Sequence, residues 1–184
     1  MIEIEIPEDF FITSDTWFGR KEIINIANRN DFKTIEEMNS SIVKRWNKKV
    51  KKDDVVFHLG NFAWDPVTAA NILEQLNGKI FFILGNSDFA LVEVIKNFDN
   101  CSILDFDILD VELDTYKYDL VLSHYPLEVW NGQSVGTIHA HGHCVHSHKT
   151  NLNLMKRINV CCDFWGYAPI KLSLLKDILE SQNL

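Results

Sequence analysis

Five polar side chains constrain this chain more tightly than its hydrophobic pattern does. Asp15, Asn61, Asn86, His124 and His143 each fall at or just beyond the end of a segment that reads as a β-strand. Residues 10–14 form an apolar run ending at Asp15, residues 55–59 lead to Gly60-Asn61, and residues 79–84 lead to Gly85-Asn86. Residues 119–123 precede His124, and residues 136–139 precede the segment carrying His143. Loops at strand ends converge on the functional crevice of layered α/β folds. Taken singly, each position has an ordinary explanation: a helix cap at Asp15, turns at Asn61 and Asn86, a buried ring at His124. Taken together they predict one pocket.

The intervening segments supply helices. Thr34-Ile-Glu-Glu37 is a capping-box signature, and Ile35, Met38, Ile42, Val43, Trp46 and Val50 recur at helical spacing. Pro66 opens a helix expected to reach about Leu76, and Leu91, Val94 and Ile95 mark a third. Further strands are expected at 101–104, 107–113 and 157–161. A closing amphipathic helix is expected over 171–181, with Leu172, Leu175, Ile178 and Leu179 on one face. With 184 residues, no repeat and no linker, residues 1–184 are expected to form one α/β domain.

Charge and composition narrow the partners. The formal net charge of −8 disfavours long nucleic acids, which need a basic stripe to displace counterions. It leaves room for a small anion in a local pocket. Apolar runs are strand-sized, which argues against a membrane span, and the first residues lack the pattern of a signal peptide. Cysteines at 101, 144, 161 and 162 form neither a disulfide framework nor a CxxC pair, so a reduced, cytoplasmic protein is expected. The oligomeric state is left open.

The ordered blocks Thr13-Ser-Asp-Thr-Trp-Phe-Gly19, Phe57-His-Leu-Gly-Asn-Phe-Ala-Trp64, Leu84-Gly-Asn-Ser-Asp88, Leu122-Ser-His-Tyr-Pro-Leu127 and His139-Ala-His-Gly-His143 together resemble the five-block signature of calcineurin-like metallophosphoesterases. The small single-domain members of bacteria and phages are most similar. Asp163-Phe-Trp-Gly-Tyr-Ala-Pro169 resembles their C-terminal segment, so the likeness runs from residue 10 to about 172. It implies an α/β fold, a β-sandwich flanked by helices in four layers (αββα), with a two-metal site at the strand ends.

Position by position, the resemblance also implies a damaged centre. Asp15 matches the family's first ligand, but Trp17 stands where the Asp-x-His block has histidine. Asn61 replaces the bridging aspartate, and Ser87 replaces the histidine beside the leaving group. Val145 replaces the last histidine of Gly-His-x-His. Asn86, His124 and His143 match second-metal ligands. Hard divalent cations want carboxylate donors, and two-metal hydrolysis needs two ions held together. The expectation is therefore a pseudoenzyme with no catalytic residue and no resident cofactor. The alternative is a single weakly held Mn or Zn ion, with His146, His148, His58 or His141 rebuilding a site. His146 and His148 are expected on a solvated loop, and His58 as a structural histidine.

A pocket without its metals is a potential binder. Trp17 is expected to offer a face for stacking a planar ring. Arg20, Asn61, Asn86, Ser87, His124, His141 and His143 are expected to reach phosphate or ribose oxygens, with Asp15 accepting a hydroxyl or an amine. A nucleotide-type ligand follows as the leading expectation, a cyclic dinucleotide or ADP-ribose-type molecule by analogy. Sequestration of a host immune signal by a phage protein would be one use for it. The competing expectations are an active phosphodiesterase with a remodelled site and a protein-interaction module.

Overall fold

Side-chain alternation along the strands decides the layering. The computed structural model describes residues 6–112, 119–146 and 156–181. Its strands are β1 (Phe11–Thr13), β2 (Val55–His58), β3 (Lys79–Phe82), β4 (Cys101–Ile103), β5 (Ile108–Val111), β6 (Leu120–Ser123), β7 (Ile138–His141), β8 (Arg157–Asn159) and β9 (Ile170–Lys171). They form two sheets, ordered β4-β3-β2-β1-β9 and β5-β6-β7-β8. Only the edge strands β9 and β5 run antiparallel to their neighbours. The helices are α1 (Ile23–Ile26), α2 (Ile35–Lys49), α3 (Pro66–Leu73), α4 (Val92–Ile95) and α5 (Leu172–Ser181).

Phe10, Ile12, Val55, Phe57 and Leu59 point to one side of the first sheet. There they meet Leu120, Leu122, Ile138, Ala140, Ile158 and Val160 of the second. That contact is the sandwich core, and Leu172 and Leu175 of α5 join it. Phe11, Val56, Ile80 and Phe82 point the other way, onto Met38, Ile42 and Trp46 of α2 and Ala69 and Ile72 of α3. Period-two alternation in strands sandwiched between two apolar layers produces this division. The caps follow the sequence: Thr34 accepts from the Glu37 amide at 3.2 Å, and Asp65 accepts from the Thr68 amide at 2.9 Å ahead of Pro66.

The outer face of the second sheet is covered by residues 124–137. Trp130 anchors this strap, donating from Nε1 to the Thr137 carbonyl at 2.9 Å with its ring 5.1 Å from His139. Ser123 gives its hydroxyl proton to the Tyr125 carbonyl, so His139 Nε2–H must be the donor to Ser123 Oγ at 2.9 Å. His58 repeats the pattern under α2. Thr16 donates to the Phe62 carbonyl at 2.9 Å, so His58 Nε2–H donates to Thr16 Oγ1 at 3.0 Å. Burial pushes both rings down to about 3, so both are neutral structural histidines.

Some local bounds shift. β7 begins and ends two residues later than expected, which brings His141 into the strand. α3 stops at Leu73, although Leu76 is still buried. β9 and α1 have too few residues for a periodic signal and are set by tertiary pairing. Leu113 lies outside the described residues, as does the side chain of Leu179.

Candidate functional site

The loops following β1 and β2 are zipped together. Asp15 N donates to the Gly60 carbonyl at 2.9 Å, Trp17 N to Asn61 at 3.0 Å and Phe18 N to Phe62 at 2.9 Å. This path holds Asp15, Trp17 and Asn61 at φ of 54°, 53° and 59°, and His143 on the loop after β7 has φ 66°. Left-handed backbone costs a non-glycine residue roughly 1–2 kcal/mol, so something must hold it. Arg29 does so at residues 15–16. Its guanidinium, fully buried, donates to the carbonyls of Asp15 at 2.6 Å and Thr16 at 2.8 Å. It also grips Asp163 through two bonds of 2.7 and 2.9 Å. Coulombic attraction from Cys162 and Asp163 outweighs burial and raises the Arg29 pKa further.

Glycines let the loops close. A Cβ on Gly60, at φ 88°, would lie 2.3 Å from the Gly85 nitrogen. One on Gly142 would lie 2.7 Å from an Asp15 carboxylate oxygen. Asp88 completes the frame: its carboxylate accepts from the amides of Asn61 at 2.6 Å, Gly85 at 2.8 Å and Phe62 at 2.9 Å. Burial still raises its pKa, against those three bonds.

Inside the frame lies a compact hydrogen-bond network. His124 Nδ1–H donates to the Leu59 carbonyl at 2.6 Å, which leaves Nε2 as a bare acceptor pointing inward. Asn86 Oδ1 lies 3.0 Å from that nitrogen and His143 Nδ1 3.2 Å from it. Asn61 Oδ1 accepts from the Ser87 amide at 3.3 Å, which turns the Asn61 NH₂ toward the centre. There Nδ2 meets three acceptors: Asp15 Oδ1 at 2.9 Å, His124 Nε2 at 3.3 Å and Asn86 Oδ1 at 3.4 Å. The other Asp15 oxygen accepts from the His143 amide at 2.7 Å and the Cys161 thiol at 3.1 Å. Desolvation, followed by the neighbouring His124, lowers the pKa of His143, while burial and Asp15 raise that of the Cys161 thiol.

A pair of metal ions does not fit this donor set. Of the carboxylates at the centre, Asp88 is spent on backbone amides, and Asp15 on Asn61, His143 and Cys161. The middle of the acceptors is filled by an amide NH₂, a donor that cannot bind a cation. Trp17 and Val145 offer no lone pair. Among the described residues no group of three or more His, Cys, Asp or Glu is arranged to hold a metal ion. His146 is exposed, and His148 lies outside the described residues.

Five sequence candidates, Asp15, Asn61, Asn86, His124 and His143, share this network directly, and Ser87 joins through its backbone amide to Asn61 and through its hydroxyl, which accepts from Asn86 Nδ2 at 3.2 Å. Trp17 differs from expectation. It is 5% exposed and packed into the helix-side core, so its indole is not an open stacking face. Arg20 lies over it, with Cζ 4.1 Å from the ring centroid. His141 is buried in β7, with Nδ1 donating to the Gly142 carbonyl at 2.8 Å. Burial pushes its pKa down to about 4. The aromatic groups that do reach solvent on these loops are Trp64, Phe89 and Tyr125, at 54%, 76% and 49% exposure. Arg29 carries no motif, and only the need of buried Asp163 for a cation could have signalled it.

The fold and site define a two-sheet α/β protein whose strand-end loops close on a buried polar network. Over 176 residues, covering 92% of this chain and 90% of the other, it is 32% identical to the uncharacterized protein MJ1445 of Methanocaldococcus jannaschii. The chain belongs to the family of that protein. The crystal structure of the protein of unknown function AQ665 from Aquifex aeolicus overlays with a TM-score of 0.69 at 24% identity, covering 92% of this chain and 98% of that one. This places the fold. A novel archaeal phosphodiesterase overlaps more loosely, at TM-score 0.46 and 21% identity over 84% of this chain and 85% of that one. That overlap is too loose to support an argument. No family model matches the chain.

Proposed function

We propose that this is a catalytically degenerate metallophosphoesterase-type protein that binds a nucleotide-type phosphate ligand at its strand-end mouth without cleaving it. The observation that carries the reading is the Asn61 amide nitrogen, placed 2.9–3.4 Å from Asp15, His124 and Asn86. An aspartate there would gather three acceptors around a carboxylate and demand a cation. The amide instead directs its two protons into that cluster. A centre satisfied in this way has no means of generating hydroxide or stabilising a transferring phosphoryl group. The mouth still presents His143, Asn86 and exposed aromatics on the loops that would face a ligand. Sequestration of an immune nucleotide by a phage is a narrower form of the reading. The similar proteins of M. jannaschii and A. aeolicus favour a ligand native to the cell.

The test is calorimetry against mononucleotides, ADP-ribose and cyclic dinucleotides, followed by heat release and mass analysis of whatever was bound. The reading expects a ligand recovered intact, and background turnover of a generic phosphodiester in excess Mn²⁺. Turnover that disappears in His124→Ala would establish the remodelled phosphodiesterase instead. One observation favours an interaction module: Trp17 is buried, whereas Trp64, Phe89 and Val129 are exposed at 54%, 76% and 76%. Absence of binding to every nucleotide in the panel would move the assignment there.

A further inference from the structure

The Asn61 network disposes of its own donors, so it leaves open what would hold the charge of a ligand. The Asn61 NH₂ and the His143 amide both point at Asp15, and the carboxylate of Asp15 opposes an incoming anion. Arg20, five positions along the same loop, differs. Its guanidinium carbon sits between two indoles, 4.1 Å from the Trp17 centroid and 4.9 Å from that of Trp64. The two rings lie 6.4 Å apart and are tilted by 44°, an open wedge rather than a stack. Arg20 Nε is buried without a hydrogen-bond partner, and among the described residues no carboxylate pairs with this side chain. The side chain as a whole is half-buried, so solvent still reaches it.

We infer that Arg20, clamped between Trp17 and Trp64, is the phosphate anchor of the mouth, and that the base of a nucleoside phosphate stacks on Trp64. The inference rests on the nucleotide-binding reading above and relocates the charge recognition from the histidine centre to the Arg20 wedge. Packing against two indole faces fixes a long side chain that would otherwise lose rotamer freedom on binding. A planar guanidinium with unused donors presents two N–H groups to a phosphate in parallel. Trp17 is then the buried backing of the anchor, which accounts for an indole with no free face. Trp64 is the half that a ligand can touch.

The experiment is calorimetry with ADP and adenosine on the wild type, Arg20→Gln and Arg20→Lys, with thermal melts as the folding check. The wild type is expected to bind ADP about tenfold or more tighter than adenosine. Arg20→Gln is expected to erase that difference with adenosine unaffected, and Arg20→Lys to keep part of it. Should Arg20→Gln fail to fold, the wild type alone decides. ADP affinity is expected to fall with added salt, while that of adenosine holds. Unchanged ADP affinity in Arg20→Gln, or a salt-independent preference for ADP, overturns the anchor and leaves the binding reading standing. If the wild type binds neither compound, the anchor is overturned, and the binding reading falls with it only when ADP-ribose and the cyclic dinucleotides also fail to bind.

Discussion

The polar network at the strand ends and the rim around it are built on opposite terms. Within the network nearly every donor and acceptor has a partner, and Arg29, Asp15, Asn61, Asp88 and His124 are at most 2% exposed. On the rim, Arg20 lacks a counter-ion among the described residues, and Trp64, Phe89 and Tyr125 stand in solvent. The contrast separates what holds the loops together from what is free to meet a ligand. It also marks where the strand-end loops change character: the centre is closed by hydrogen bonds within the protein, and the unpaired groups lie farther out.

Arg29 is where the contrast should break most violently. Arg29→Met leaves Asp163, whose side chain is 8% exposed, without its counter-ion and frees the carbonyls of residues 15 and 16. Removing one partner of a buried pair costs about 3–5 kcal/mol, so urea unfolding should show a loss of that order. Asp163→Asn added to it should cost less than it does alone. Additive losses would mean that the pair is not the strut described.

Acid should open the buried layer next. His58 and His139 are held near 3 and His141 near 4, below the ordinary 6.5. The folded state keeps them neutral while the unfolded chain takes up protons below about pH 6.5. Stability should therefore rise between about pH 4.5 and 6.5 and flatten above that. The contribution is up to about 1.4 kcal/mol per unit for each ring. His139→Gln should flatten the slope, measured as midpoint against pH. A slope unchanged by that substitution would place the titration elsewhere.

The rim should barely register in stability. Phe89→Ser and Trp64→Ala are expected to shift unfolding by about 0.5 kcal/mol or less, as exposed positions do. A much larger loss at Phe89 would make the rim part of the fold.

How far the sequence reached follows the same division. Strand-end polar residues were legible because alternation and turn signals mark where strands stop, and Asp15, Asn61, Asn86, His124 and His143 do converge. The paired sheets with flanking helices were legible for the same reason. Arg29 was not, because its partner lies 134 positions away and no local pattern links them. Trp17 was placed in the right loop but given the wrong face. A period argument cannot orient a side chain on left-handed backbone. His141 was assigned to a loop because β7 was ended two residues early.

The central claim is that Asn61 closes the centre with protons where a cation would otherwise be required. Thermal melts of wild type and Asn61→Asp, each in chelator and in excess Mn²⁺, test it most directly. The wild type should melt at the same temperature in both. Asn61→Asp should be destabilised in chelator, by about 1–3 kcal/mol for acceptors left facing one another, and should recover with Mn²⁺. A wild type strongly stabilised by Mn²⁺, or an Asn61→Asp variant indifferent to chelator, would contradict the account.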